Sequence, residues 1–170
     1  MNGPRRSPDL RFLLAHPAHL IACGFGSGLA PVAPGTFGTL FAWLSFQSID
    51  RLLSGWPLLA FLVIAFLLGV AVCNRTGRAL GVADHGSIVW DEIVPFWIVL
   101  AIAPAGWGWQ LAAFLLFRLF DITKPAPANY FDQQVKNGFG VMMDDLVAAF
   151  YTLLTLAVGR YFLGLAGVFE

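Results

Sequence analysis

The sequence predicts an all-α protein: a polytopic membrane helical bundle of about four to five membrane-associated helices, with a short N-terminal helix and cytoplasmic loops. Three observations carry this. The 170 residues are 58% hydrophobic and 12% charged, where an ordinary soluble domain carries about a quarter charged residues. Mean hydropathy is +0.74. The apolar residues also gather in runs too numerous for one core, so that some must face lipid. The length suits a single domain over residues 1–170.

Taken in order, the Met1–Leu20 stretch carries Arg5, Arg6 and Arg11 together with two early prolines, Pro4 and Pro8, and Asp9. It has no continuous apolar core, so it is not read as a secretory signal. "FGTLFAWLSFQSI", residues 37–49, crosses a bilayer only if helix begins near Gly35 and Arg51 snorkels. "PLLAFLVIAFLLGVAVC", residues 57–73, has no charge and is close to the minimum for crossing ~30 Å of hydrocarbon. Residues 88–120 form two apolar halves around "APAGWGWQ", whose Pro, Gly and Trp predict an interfacial turn and a helical hairpin. Residues 146–169 are long enough to cross once, or to cross and continue along the interface.

Arg5, Arg6, Arg11, Arg75, Arg78, Arg118, Lys124 and Lys136 all fall on one side of these segments, leaving Arg51 and Arg160 opposite. The positive-inside rule makes the crowded side cytoplasmic. Formal net charge is zero, which excludes a basic field for nucleic acid. Cys23 and Cys73 are too few for a disulfide framework or a zinc site and read as packing residues. The sequence sets no oligomeric state.

The acidic residues carry the chemistry. Asp84, Asp91, Glu92, Asp121, Asp144 and Asp145 fall at the cytoplasmic ends of the predicted spans or in the loops between them, while Asp9, Asp50, Asp132 and Glu170 fall elsewhere. A carboxylate at a membrane edge is costly unless it is paired or functional. Adjacent helical residues point ~100° apart, so each of the pairs Asp91–Glu92 and Asp144–Asp145 aims one carboxylate at a shared site while its neighbour flanks it. Together with Asp121 they would surround one pocket. Such crowding repels unless a cation neutralises it. Oxygen ligands without His or Cys suit Mg²⁺, which keeps several waters and is usually completed by a substrate phosphate.

The same side offers phosphate-type ligands. "FGSGLAPVAPGTFGTLF", residues 25–41, opens with glycines and ends at a helix start, where Thr36 can cap and Ser27 adds a hydroxyl. No Lys follows the Gly-Thr, so this is no Walker A loop, and a plain turn remains the alternative. Arg118, Asp121 and Lys124 recur at i, i+3, i+6 before Pro125, with Arg118 and Lys124 as phosphate contacts or all three as a surface ion-pair trio.

The blocks "GSGLAPVAPGTFGT", "IVWDEIV", "RLFDITKPAP" and "NGFGVMMDDLVAA", in this order, closely resemble the phosphatidylglycerophosphatase A family of bacterial membrane enzymes. The resemblance implies Mg²⁺-dependent removal of the terminal phosphate of the phospholipid phosphatidylglycerol phosphate, in phosphatidylglycerol synthesis, by a helical bundle. Its acidic positions fall on Asp91, Glu92, Asp121, Asp144 and Asp145, and its "KP" lysine on Lys124. Pro95 and Ala149 stand where the family is expected to carry glycine, and Pro95 would kink its helix and turn Asp91 and Glu92.

The expected mechanism holds one or two Mg²⁺ on Asp91, Glu92, Asp144 and Asp145, with Asp121 assisting. Lys124, Arg118 and the Ser27–Thr36 loop meet the phosphate, and Asp84 or one member of a pair takes the water proton. A C-x₅-R thiol motif is absent, as is a D-x-D nucleophile, and His85 reads as a loop residue. The rival is a cation or proton transporter, since membrane carboxylates also mark ion pathways.

Overall fold

The computed structural model describes residues 8–165, in which every regular element is helical. Arg5, Arg6, Glu170 and the end of the 146–169 segment lie outside the described residues. The elements are α1 (Leu10–Ala15), α2 (Pro17–Ala22), a 3₁₀ stretch (Gly24–Leu29), α3 (Pro34–Leu52), α4 (Trp56–Leu80), α5 (Trp90–Ile102), α6 (Trp107–Thr123), α7 (Ala128–Gln134) and α8 (Gly138–Leu165).

Local chemistry sets the boundaries. Asp9 caps α1 by accepting from the Phe12 amide at 2.8 Å, and the His16 ring caps α2, whose first residue is Pro17. Gly81 closes α4 in the left-handed conformation, its amide and that of Val82 donating to Arg78 and Gly77 carbonyls. Asn137 caps α8, its Oδ1 accepting from the amides of Phe139 and Gly140 at 3.0 and 3.1 Å. The α5–α6 hairpin forms as predicted, turning at Ala103–Gly106. Thr36 does not cap α3. That role falls to Ala33, in the left-handed conformation with no side-chain bond, and the Thr36 amide donates to the Ala33 carbonyl at 2.9 Å.

α5 is the centre of the bundle, packed by α3, α4, α6 and α8. Ile93, Val94, Phe96 and Val99 are fully buried, and in a lipid-embedded bundle close van der Waals packing holds such side chains together. Its two tryptophans fasten it to the neighbours. The Trp97 indole donates to Ala42 O of α3 at 3.0 Å and the Trp90 indole to Ala65 O of α4 at 3.1 Å, so neither polar tip is buried unpaired. The helix continues through the buried Pro95 to Ile102.

α4, with 25 residues, and α8 are long and apolar enough to cross a membrane. α5 has 13 residues, about 20 Å at 1.5 Å per residue, and does not reach across alone. Leu59, Val63, Ile64 and Leu67 on α4 and Phe150, Leu154 and Phe162 on α8 point outward and exposed. An apolar exterior of this extent needs lipid rather than water, and the protein is a membrane-associated all-α bundle.

Candidate active site

The carboxylates converge where the start of α5, the end of α6 and the first turns of α8 meet. Asp91 and Glu92 sit in the first turn of α5, where the helix dipole favours negative charge. Asp121 lies one turn beyond Arg118 near the end of α6. Asp144 and Asp145 are not at the mouth of the last helix as the sequence suggests. α8 already begins at Gly138, so both are carried inward by about 10 Å and each is 3% exposed.

Among the described residues these carboxylates, with Asp84 and Asp132, form two groups. In the first, carboxylate oxygens of Glu92, Asp121 and Asp145 lie within 4.8 Å of one another; in the second, those of Asp84, Asp132 and Asp144 do. The 100° rotation between neighbouring helical residues sends Asp144 and Asp145 to different groups. Asp91 belongs to neither, yet the charges acting on it, Asp84, Glu92, Asp144 and Asp121, come from both.

Each group has its own cation. Arg118 pairs with Glu92 Oε1 at 2.9 Å and with Asp121 Oδ2 at 2.5 Å. The Lys124 ammonium donates to Asp144 Oδ2 and to Asp132 Oδ1, the latter at 3.2 Å, and stands 4.0 Å from Asp84 Oδ2. The expected trio on one helix face is therefore split. Lys124 is the residue that ends α6, in the left-handed conformation with φ 41°, which turns it away from Arg118 and Asp121. Burial works against its charge, but Asp144, Asp145 and Asp84 outweigh burial and hold the lysine pKa above its ordinary value. Burial also pushes the Asp84 carboxyl up, with Lys124 pulling against it.

The first group is the better fit for a metal ion. Among the described residues, the buried side-chain atoms without a hydrogen-bond partner are Asp91 Oδ1, Glu92 Oε2, Asp145 Oδ1 and Arg118 Nε. Three are carboxylate oxygens, two of them in the first group. Unpaired buried acceptors are costly, and a hard cation that takes oxygen ligands satisfies such a set.

The glycine-rich loop reaches this group through backbone. A Cβ on Gly35 would overlap Glu92 Oε1, and one on Gly38 would stand 2.9 Å from Glu92 Oε2 and 2.7 Å from Val89 Cβ. The start of α3 thus packs directly on the Glu92 carboxylate, with Thr36 in the same turn. The Ser27 hydroxyl donates to Gly24 O at 2.8 Å, within its own loop. His85 also serves its own loop, its ring accepting from the Ser87 amide at 3.2 Å. Cys23 and Cys73 are buried and free of disulfide.

The sequence profile of the Phosphatidylglycerophosphatase A family matches residues 20–160. The chain belongs to this family. It is 47% identical over 158 residues to Phosphatidylglycerophosphatase A of Haemophilus influenzae, covering 92% of this chain and 97% of that one. It is 44% identical over 140 residues to the Escherichia coli protein of the same name, covering 81% and 80%. A Bacteroides thetaiotaomicron relative, provisionally named a phosphatidylinositol-3-phosphatase, is 39% identical over 152 residues, covering 85% and 94%. No solved structure matches the chain.

Asp132 joins the Lys124 group although its sequence context places it outside the candidate set. It sits on α7, a helix of 7 residues between Pro127 and Val135 that carries no hydrophobic period of its own. The one available signal was its spacing from Lys124, eight residues across a proline-rich turn.

Proposed function

We propose that the chain hydrolyses the terminal phosphate monoester of phosphatidylglycerol phosphate, giving phosphatidylglycerol and inorganic phosphate in phospholipid biosynthesis, with Mg²⁺ as cofactor. The observation that carries this reading is the buried set of unpaired oxygens on Asp91, Glu92 and Asp145 beside Arg118, in a chain of this family. Glu92, Asp121 and Asp145 would hold the ion, with Asp91 and Asp144 next to them. When bound, Mg²⁺ supplies Lewis-acid polarisation of the phosphate and lowers the pKa of a coordinated water.

The chain's own residues do the rest. Arg118 and Lys124 meet nonbridging phosphate oxygens and offset the charge that develops there. The first turn of α3, with Thr36, and the Ser27 loop close the opposite wall. Asp84, partly exposed and raised in pKa by burial, accepts the proton of the attacking water. Phosphate-monoester hydrolysis is among the slowest uncatalysed reactions, with enzymatic accelerations up to ~10²¹, so positioned cationic charge is the needed contribution.

The phospholipid stays in the membrane while its headgroup enters. The site lies at the end of the bundle that carries Arg75, Arg78 and Lys136, which the positive-inside rule makes the cytoplasmic face of the inner membrane, with α4 and α8 among several crossings. A transport reading is disfavoured, because the far ends of α4 and α5 and the adjoining part of α8 are lined by apolar side chains such as Leu58, Leu62, Ile98 and Leu146.

The test is phosphate release from phosphatidylglycerol phosphate by detergent-purified protein, with Mg²⁺ and then with excess chelator. Release that stops on chelation and returns with Mg²⁺ supports the reading. Folded protein releasing nothing in either condition overturns it. Phosphatidic acid and phosphatidylinositol 3-phosphate run in parallel decide the headgroup.

A further inference from the structure

The two carboxylate groups differ in how their charge is balanced. The second group holds an ammonium. Lys124 Nζ donates to Asp144 and Asp132 and stands 4.0 Å from Asp84. The first group holds Arg118 at its Glu92 and Asp121 edge. The buried carboxylate oxygens left without a partner among the described residues belong to Asp91, Glu92 and Asp145, while Asp84 and Asp132 are partly exposed and Asp144 accepts from Lys124. A divalent ion therefore finds unpartnered buried oxygens beside Arg118 in the first group, whereas in the second a cation already stands among all three carboxylates.

We propose that Lys124 is a built-in second cation. Its ammonium takes the place a second divalent ion holds in two-metal phosphate-processing sites, so the chain binds one metal ion, at Glu92, Asp121 and Asp145. This rests on the metal-phosphatase reading above. In two-metal sites a pair of ions ~3.5–4 Å apart clamps the attacking and leaving oxygens. Here one clamp is covalently part of the chain.

The geometry of Lys124 suits that role. Its backbone is held in the left-handed conformation at the end of α6 with Pro125 next in sequence, so the stem starts from a fixed place. An ammonium has three N–H donors. Two are engaged by Asp132 and Asp144, and Asp84 at 4.0 Å lies beyond hydrogen-bond range. One donor stays available to a phosphate oxygen. A resident monovalent charge also repels a second divalent ion at close range, which adds to the cost of displacing it.

Mn²⁺ serves as the probe ion, with stoichiometry read by equilibrium dialysis and the electron paramagnetic resonance signal of free Mn²⁺, on full-length protein in detergent. The wild type is expected to bind one ion. Asp145→Asn should weaken it by at least about tenfold, the range seen when a metal site loses support, and Asp132→Asn should leave its affinity within about twofold. Lys124→Met, which strips the ammonium from three carboxylates, should bind two ions. Two ions on the wild type, or a single ion lost from Asp132→Asn and kept by Asp145→Asn, overturns the proposal. So does a folded Lys124→Met that still binds one. Thermal unfolding reports whether each variant is folded, and if Lys124→Met is not, the Asp132 and Asp145 variants decide. Wild type that binds no Mn²⁺ while releasing phosphate in excess chelator overturns the metal reading itself, and this inference with it. The stoichiometric failures leave that reading standing.

Discussion

Asp144 and Asp145 are neighbours in sequence and both are buried, yet their carboxylates serve different groups, Asp144 accepting from Lys124 and Asp145 facing Glu92 and Asp121. The helix they share rotates by 100° per residue, and the Asp145 amide donates to Asp144 Oδ1 at 2.8 Å, which fixes the first carboxylate against the backbone. Two substitutions of one chemical kind, one residue apart, thus probe two different cations. Asp144→Asn and Asp145→Asn should each lower turnover by ~10²-fold or more, the scale for losing a group that organises transition-state charge. Metal titration then separates them: affinity falls in Asp145→Asn and holds in Asp144→Asn. Full activity in both would remove the carboxylates from the chemistry.

Gly35 touches no substrate in the proposed mechanism, but its missing side chain leaves room for Glu92 Oε1. Gly35→Ala should push that carboxylate aside and lower kcat by roughly 10²-fold, as a misplacement near 1 Å does. Gly55→Ala, at a positive φ with open space around it, is the control that strains the backbone without reaching the site. Equal losses in the two would mean that Gly35 acts only through stability.

Arg118 is the counter-ion of Glu92 and Asp121, and removing one partner of a buried ion pair costs about 3–5 kcal/mol. Arg118→Met should therefore lower the thermal midpoint in chelator. Mg²⁺ should restore more of it than it adds to the wild type, because the carboxylates freed by the substitution bind the ion only in the folded state. An equal Mg²⁺ shift in both proteins would place the ion away from Glu92 and Asp121.

Cys23 and Cys73 are buried and play no part in the proposed chemistry, so the double Cys→Ser variant should keep its turnover within about twofold. That background then reports topology. Single cysteines at the exposed positions Arg78 and Lys136 should stay unlabelled by a membrane-impermeant maleimide in intact cells, while those at Arg51 and Arg160 are labelled. The reverse pattern would put the site on the opposite face.

Much of the fold is legible in the sequence because its signals are local. Charge-free runs and the Pro, Gly and Trp of the 103–110 turn each act within a few positions, and the α5–α6 hairpin forms where they indicate. The site is legible only as a set of residues. Asp91, Glu92, Asp121, Asp144, Asp145, Arg118 and Lys124 do meet at one end of the bundle, but as two groups with separate cations. Thr36 fails as a cap because α3 begins two residues before it, at Pro34.

What the sequence by itself determined is the membrane-associated all-helical class and the family, since composition and spacing are properties of the chain read one stretch at a time. What only the tertiary structure decided is which carboxylate stands beside which cation. That depends on the rotation of α8 against α5 and α6, on the turn at Lys124, and on α7 and the 81–89 loop bringing Asp132 and Asp84 alongside Asp144. These are distances between segments far apart in the chain, set by how buried faces pack, and no local pattern encodes them.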